Sequence, residues 1–138
     1  MKLLVCGSRF CYDWRLLEQT LYEFNKEHDI RVLISGCAPG IDSLAIQWAM
    51  YNKTWDDRFI LIEKYPADWK QYGKGAGPIR NQQMLDEGKP DHVIAFLAPN
   101  SRGTANMINR TKQANIPVEI INISWYNITR IRKRKYFK

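Results

Sequence analysis

Three short loops of this chain combine glycine with hydroxyl, basic or acidic side chains. They are Gly7–Arg9, Ser35–Asp42 and Asn100–Thr104, and each lies where a predicted strand gives way to a predicted helix. Glycine lets a ligand approach the backbone closely, and the start of the following helix offers unpaired N–H groups and the positive end of a dipole. In a parallel sheet the three loops would open onto the same edge. The sequence therefore predicts a site for a phosphate-type anion.

Three arginines accompany these glycine-bearing blocks. Arg9 and Arg102 lie in the first and third loops, and Arg80 lies in a further block, Gly77–Met84. A guanidinium group can grip phosphate oxygens with two parallel hydrogen bonds. A surface salt bridge or a helix-end contact would explain any one of them. Because all three occur in separate glycine-bearing blocks, the pattern favours contact with a ligand.

Hydroxyl and carboxyl groups at the predicted helix starts have two explanations. Ser8, Ser101 and Thr104 could donate to phosphate, and they could equally cap the helices. Asp42 could be an N-cap, or it could contact a ribose or act as a catalytic carboxylate. The sequence alone does not separate these roles.

Residues 65–78 are predicted to be a long irregular stretch rich in glycine. Trp69 would offer a stacking platform for a base, although packing in the core is the more frequent role of tryptophan. Gly75 and Gly77 would allow the stretch to close over the site as a lid. Lys74 is a candidate phosphate contact, and Asn81 is a candidate contact to a base or ribose.

The elements that must position these residues follow from the hydrophobic pattern. Apolar runs predict five strands, over residues 2–6, 31–34, 59–62, 91–96 and 117–121. Helical spacing predicts helices after Asp13, after Gly40, over 79–87 and over 104–114. Strands that alternate with helices indicate an α/β fold with a doubly wound, mainly parallel sheet and helices on both faces. We expect one domain over residues 1–123, followed by a basic tail over residues 124–138.

The charge of the chain is unevenly distributed. Its 138 residues carry a formal net charge of +7, and six of the 21 basic residues lie within residues 130–138. Without them, 15 basic residues stand against 14 acidic ones, so the body is nearly neutral. The tail is therefore a candidate contact for nucleic acid, or simply a solvated extension. No apolar run reaches the roughly 18 to 20 residues of a membrane span, and we expect a cytoplasmic protein without membrane contact.

The sulfur and imidazole groups do not predict a metal or redox site. Cys6, Cys11 and Cys37 lack the spacing of metal ligands, and both histidines lie far from them in the sequence. We expect reduced thiols that fill small apolar spaces. We assign no metal and no cofactor.

Four blocks in this order resemble the SLOG superfamily of Rossmann-like proteins, and in particular its small YspA-type members. They are Val5–Arg9, Ser35–Ala45, Gly77–Met84 and Ser101–Thr104. The resemblance extends over about residues 2–121 and implies a Rossmann-like sheet of about five strands, a nucleotide-type ligand and homo-oligomers. The second block also looks like the glycine motif of the DNA-processing protein DprA, in which the loop faces phosphate. Gly36, Gly40 and Asp42 occupy the matching positions.

The superfamily also includes the LOG phosphoribohydrolases, and this chain departs from their pattern. In LOG enzymes a glutamate follows the glycine and threonine motif by two to three positions and acts on the ribose, whereas this chain has Asn106 and Met107 there. Neither an amide nor a thioether can replace a carboxylate that stabilises positive charge or positions water. The departure argues against LOG-type hydrolysis and leaves Asp42 and Asp68 as weak candidates for a substitute acid.

We therefore expect binding of a nucleotide or nucleotide-derived ligand, such as an ADP-ribose-like molecule or a nucleoside phosphate, by a sensor or sequestering protein. Two alternatives stay open: a phosphoribohydrolase-like enzyme that cleaves the N-glycosidic bond of nucleotides, and a DprA-like protein that binds single-stranded DNA. Whether the protein is an enzyme is not decided by these motifs. The candidate ligand-binding residues are Gly7, Ser8, Arg9, Gly36, Cys37, Ala38, Gly40, Asp42, Trp69, Lys74, Arg80, Asn81, Ser101, Arg102, Gly103 and Thr104.

Overall fold

Strands and helices alternate along the chain in the computed structural model, which describes residues 1–128. The strands are β1 (Lys2–Gly7), β2 (Val32–Ser35), β3 (Leu61–Lys64), β4 (His92–Leu97) and β5 (Val118–Asn122). The helices are α1 (Trp14–Glu27), α2 (Ile41–Tyr51), α3 (Trp69–Tyr72), α4 (Ala76–Asp86) and α5 (Arg102–Gln113), with a 3₁₀ turn at Gly73–Gly75. Within the described residues, no helix is both long and apolar enough to cross a membrane.

The five strands form one parallel sheet in the order β3-β2-β1-β4-β5. β1 is central, and its Leu4 is in register with Ile34 of β2 on one side and Val93 of β4 on the other. After β1 the chain adds β2 and then β3 on one side of it. The chain then crosses back and adds β4 and then β5 on the other side. This order confirms the predicted doubly wound, Rossmann-like α/β fold.

The sheet is covered on both faces because its strands alternate between two apolar cores. Leu3 and Val5 of β1 face a core that contains the inner sides of α1 and α2, including Leu17 and Trp48. The intervening residues of β1 face a second core, which α4 and α5 supply with Met84, Leu85, Met107 and Ile108. Burial on both faces explains why the central strands read as continuous apolar runs in the sequence.

The stretch predicted to be an irregular lid, residues 65–78, is helical from Trp69 onward, which corrects that expectation. Asp68 caps α3, since its side chain accepts a hydrogen bond from the backbone N–H of Gln71 at 3.1 Å. Gly73 then adopts a positive φ of 55°, which ends α3 before the 3₁₀ turn. α4 begins at Ala76, three residues before the predicted start. Pro78 lies in its first turn, where no intrahelical N–H donor is required.

The segment after β5 packs against the domain. Ile123 and Ile128 are both 3% exposed and belong to the core beneath α1 and α2. The side-chain amide of Asn127 donates a hydrogen bond to Asp13 Oδ2 at 3.0 Å, which ties this segment to the start of α1. The body of the protein therefore includes residues 124–128, beyond the predicted boundary at residue 123. The basic residues of the predicted tail lie outside the described residues.

Candidate functional site

A cavity of about 720 Å³ lies at the carboxyl ends of β1, β2 and β4. This edge is where the order of the sheet reverses, between β1 and β4, and in open α/β sheets it is the usual position of a ligand. All the predicted ligand-binding residues except Gly40 line this cavity. Residues that are far apart in the sequence are thus brought to one place by the topology.

Gly40 serves the packing of two loops instead. Its φ is 78°, and an added Cβ would collide with the backbone of Ser8 and lie 2.7 Å from the carbonyl oxygen of Arg9. The next residue, Ile41, donates its N–H to the Ser8 carbonyl oxygen at 3.2 Å. Gly40 therefore allows the loop after β2 to meet the loop after β1. Gly40 was predicted to contact the ligand, but it does not line the cavity. The packing of the two loops also requires glycine at this position.

Asp42 lies in the first turn of α2 but is not its N-cap, a position that Gly40 occupies. The carboxylate is 4% exposed and accepts a hydrogen bond from the backbone N–H of Ala38 at 3.2 Å. Burial raises the pKa of Asp42 to about 6, against the lowering effects of the Ala38 amide, Arg80 and the Gly7 amide. Asp42 thus holds the glycine loop after β2 in place and is a carboxyl group that titrates close to neutral pH.

Arg80 connects α4 to the same loop. Its Nη1 donates to the carbonyl oxygen of Gly36, and its Nε donates to Asn81 Oδ1 at 3.1 Å. A Cβ on Gly36 would lie 2.5 Å from Arg80 Nη1 and 3.0 Å from a carboxylate oxygen of Asp42. Gly36 is therefore enclosed by side chains, and part of the Arg80 fork is already used within the protein.

A series of hydrogen bonds between side chains joins α4 to α5 in the wall of the cavity. Asn81 is 5% exposed and donates to the Gly103 carbonyl oxygen at 3.3 Å and to Asn106 Oδ1 at 3.2 Å. Arg110 Nε also donates to Asn106 Oδ1, at 2.9 Å. Asn106 lines the cavity, whereas its neighbour Met107 is buried in the core. In the sequence, Asn106 stands out only as a departure from the LOG pattern, although its position three residues after Gly103 places it on the same face of the predicted helix.

Positive charge dominates the cavity. Arg9, Lys74 and Arg102 line it and are exposed, and none of them forms an ion pair with a carboxylate within residues 1–128. Together with Arg80 they make four cationic side chains in a cavity to which the described residues contribute one carboxylate, that of Asp42. Such an arrangement attracts an anionic ligand.

Three helix starts at the cavity, those of α2, α4 and α5, have no side-chain cap among the described residues. By contrast, α1 is capped by Asp13 and α3 by Asp68. The Ser101 hydroxyl donates instead to Thr104 Oγ1 at 2.9 Å, so the predicted capping role does not apply to it. The first N–H group of α2, that of Ile41, donates to the Ser8 carbonyl oxygen, and that of α5, from Arg102, donates to the Asn100 carbonyl oxygen. First-turn N–H groups that lack a partner favour an anion.

Aromatic side chains stand at the rim. Trp69 lines the cavity with 56% of its surface exposed, so it is not a core residue, and its ring lies about 3.5 Å from where a Cβ on Gly77 would be. Phe10 and Trp125 also line the cavity and are more than half exposed. Both were missed by the sequence analysis. Phe10 adjoins Arg9 in the first loop, but Trp125 lies in the segment that was assigned to the tail.

The groups that line the cavity do not include a reactive thiol or a second acid within the described residues. Cys6 and Cys37 line it, but burial is the largest influence on both and raises the pKa of each thiol. Asp68, a weak candidate for a catalytic acid, caps α3 and does not line the cavity. Asp42 is the one carboxylate that the first 128 residues contribute.

Similarity to known proteins agrees with this architecture. The YAcAr family, described as the YspA, cpYpsA-related SLOG family, matches residues 1–72, which include the first two glycine loops and Trp69. The Gene 61 protein of Mycobacterium phage D29 is 31% identical over 118 residues, which cover 85% of this chain and 93% of that protein. No solved structure gives a significant match. The chain therefore belongs to the YspA, cpYpsA-related SLOG family, YAcAr.

Proposed function

We propose that the cavity binds a nucleotide or nucleotide-derived ligand, either ADP-ribose-like or a nucleoside phosphate, and that the protein acts as a sensor or sequestering protein. One observation carries this proposal: four cationic side chains and a single carboxylate, that of Asp42, line one cavity, at which α5 begins without a side-chain cap. Membership of the SLOG family supports a nucleotide-related role in general terms. The exposed aromatic rim supports stacking of a base, since indole and phenyl rings accept any base on their faces.

The surroundings of the glycines favour one position for the phosphate. A Cβ on Gly7 would lie 2.8 Å from Phe96 Cβ, and Gly36 is enclosed by Arg80 and Asp42, whereas a Cβ on Gly103 would meet no atom within 4 Å. Open space above the first turn of α5 is what a phosphate needs to reach the backbone N–H groups there. We therefore place the phosphate over Gly103, with Arg102 beside it.

Calorimetric titration with ADP-ribose, AMP and pyrophosphate tests the proposal. Arg102→Ala should weaken the binding of all three by at least about tenfold, because it removes a charged contact at the phosphate. Arg58→Ala is the matched control: it removes the same charge from the loop before β3, where Arg58 pairs with Asp56 at 3.2 Å. Its affinity should stay within about twofold of the unaltered protein. Equal effects of the two variants, or no binding of any probe, would contradict the proposal.

The raised pKa of Asp42 favours one second candidate, a hydrolase that cleaves the N-glycosidic bond of a nucleotide. A carboxyl group with a pKa of about 6 can exchange a proton near neutral pH, as a general acid must. Long incubation with AMP and NAD followed by chromatography would detect released base, and Asp42→Asn should abolish that release. Intact substrates would exclude this class for those compounds. The alternative of single-stranded DNA binding depends on basic residues outside the described ones.

A further inference from the structure

Asn81 and Asn106 belong to a series of hydrogen bonds between α4 and α5, with Arg80 at one end and Arg110 at the other. These two arginines fix the direction of each hydrogen bond in the series. A guanidinium group only donates hydrogen bonds, so the amide atom that faces it must be an oxygen. Arg110 Nε lies 2.9 Å from Asn106 Oδ1, and Arg80 Nε lies 3.1 Å from Asn81 Oδ1. With its oxygen turned to Arg80, Asn81 turns its nitrogen to Asn106, where it again meets Oδ1. The two assignments agree.

The side-chain amide of Asn106 consequently has donors to offer to a ligand but no acceptor position to offer. Its Oδ1 accepts from both Arg110 and Asn81, which uses the two acceptor positions of an amide oxygen. Its Nδ2 has no acceptor among residues 1–128. The one buried side-chain nitrogen or oxygen without a partner in that range is His92 Nε2, so Asn106 Nδ2 is accessible. Asn106 lines the cavity, which makes this nitrogen the candidate donor to a ligand there.

The position of Asn106 along α5 indicates which part of the ligand it would meet. Asn106 follows Gly103 by three residues, so it lies on the same face nearly one turn further along, about 5 Å away along the axis. In a nucleoside phosphate, the sugar lies at about that distance from the phosphate. An acceptor oxygen at this place would be an oxygen of the sugar.

We propose that Asn106 determines specificity for a phosphorylated ribosyl group by donating a hydrogen bond from Nδ2 to a sugar oxygen, in an orientation held by Arg110. The proposal rests on the proposed function, because it takes the phosphate to lie at the start of α5. Arg110 is a positioning residue: it does not line the cavity, and its Nη1 is itself held by Gln82 Oε1 at 2.9 Å. Arg110 shares this role with Asn81, because both donate to Oδ1 and so keep the nitrogen of the Asn106 amide on the other side.

Calorimetric titration of the full chain with ribose 5-phosphate, AMP and pyrophosphate separates sugar from phosphate contacts. Asn106→Ala should weaken ribose 5-phosphate and AMP about fivefold to tenfold, as expected for one hydrogen bond, and change pyrophosphate less than about twofold. Asn109→Ala makes the same change at an exposed position of α5 and should leave all three affinities unaltered. A loss that is equal for all probes, or no loss for the sugar phosphates, would overturn the proposal.

The role of Arg110 is tested by selectivity and not by affinity alone. Arg110→Met removes one of the two donors that face Asn106 Oδ1 and should reduce the ratio of ribose 5-phosphate affinity to pyrophosphate affinity, by less than Asn106→Ala does. Arg110→Lys keeps a donor-only cation and should restore the ratio. A purely structural role would weaken both probes together and leave the ratio unchanged. If the unaltered protein binds none of the probes, the proposed function fails. If it binds them, and neither Asn106→Ala nor Arg110→Met changes the affinity ratio, only the present inference fails.

Discussion

The four cationic residues of the cavity differ in how firmly they are held. Arg80 is bonded to Gly36 and Asn81 and has a fixed position, while Arg9 and Arg102 extend to solvent. Residue types alone indicated an anion site, because glycine and arginine recur in separate loops. They could not indicate that Arg80 serves partly as a clamp, or that Asp42 reaches back to Ala38, since both contacts depend on how the loops fold together.

At the level of single groups, the pH dependence of ligand binding should follow Asp42. Its pKa of about 6 means that the carboxyl is ionised at pH 7.5 and largely neutral at pH 5.5, so repulsion of an anion weakens as the pH falls. ADP-ribose should therefore bind more tightly at pH 5.5 than at pH 7.5, and Asp42→Asn should remove most of this difference. ADP-ribose is the suitable probe for calorimetry, because its diphosphate stays ionised in this range. A pH dependence that is unchanged in Asp42→Asn would contradict the assignment.

Substitution of glycine by alanine should have opposite effects on stability at Gly103 and at Gly40. Gly103→Ala meets no atom within 4 Å and gains helix propensity, so thermal stability should be equal or higher while affinity for ADP-ribose falls about tenfold. Gly40→Ala strains a backbone with φ of 78° and should lower the free energy of unfolding by about 1 to 3 kcal/mol. Thermal melts and titrations of both variants check this. Unchanged affinity in Gly103→Ala would exclude a phosphate at the start of α5.

Secondary structure elements were predictable where a long apolar pattern specifies them. All five strands and the four longer helices lie close to their predicted positions. These helices and β1, β2 and β4 contain buried side chains, whereas β3 and β5 contain none and were recognisable only as short apolar runs. β3 begins two residues late, since Phe59 is 78% exposed and pairs with Lys53 in an isolated bridge. α3 is only four residues long and is followed by glycines, so its sequence reads as a loop although Asp68 caps it.

The junction between the end of α1 and the start of β4 should give the fold an acid-sensitive element. His92 contacts Phe24 with ring centroids 4.9 Å apart, and its Nε2 is buried without a hydrogen-bond partner among residues 1–128. Burial lowers the pKa of His92 below its ordinary 6.5, as does His28, while Glu119 acts to raise it. A lowered histidine pKa contributes stability above pH 6.5 that is lost as the pH falls through that value, because the unfolded chain then takes up the proton.

Urea denaturation of His92→Phe at pH 7 and pH 5 measures this contribution. The free energy of unfolding of the unaltered protein should fall more between these two values than that of the variant, in which the buried nitrogen is gone. An equal fall in both proteins would show that the acid sensitivity arises elsewhere.

On the scale of the whole molecule, the site is assembled from segments that are remote in sequence. The loops after β1, β2 and β4, the first turns of α4 and the segment after β5 all reach one edge of the sheet. The three glycine loops could be placed there from the sequence because parallel strands end on the same side. The contribution of residues 124–128 could not, since Ser124 follows the last apolar strand and a charged run lies beyond, and burial of Ile128 becomes apparent only in the assembled fold.

The closing segment should contribute measurably to stability. Ile128 is 3% exposed in the core, so Ile128→Ala should lower the free energy of unfolding by about 2 to 5 kcal/mol. Ile79→Ala provides the matched control, because Ile79 is 46% exposed on α4, and its effect should be much smaller. Urea denaturation of both variants measures the difference. Similar losses would mean that residues 124–128 are not part of the core.

The aromatic rim has one more consequence, which concerns fluorescence. Trp69 and Trp125 stand in water at the cavity, whereas Trp48 is enclosed in the core with 2% exposure. Indole emission shifts to shorter wavelength when water is displaced and is quenched by a stacked base. A ligand that fills the cavity would therefore alter the emission of two rim indoles, while Trp14, Trp48 and Trp55, which do not line the cavity, supply a constant background. The protein can report its own occupancy without an added label.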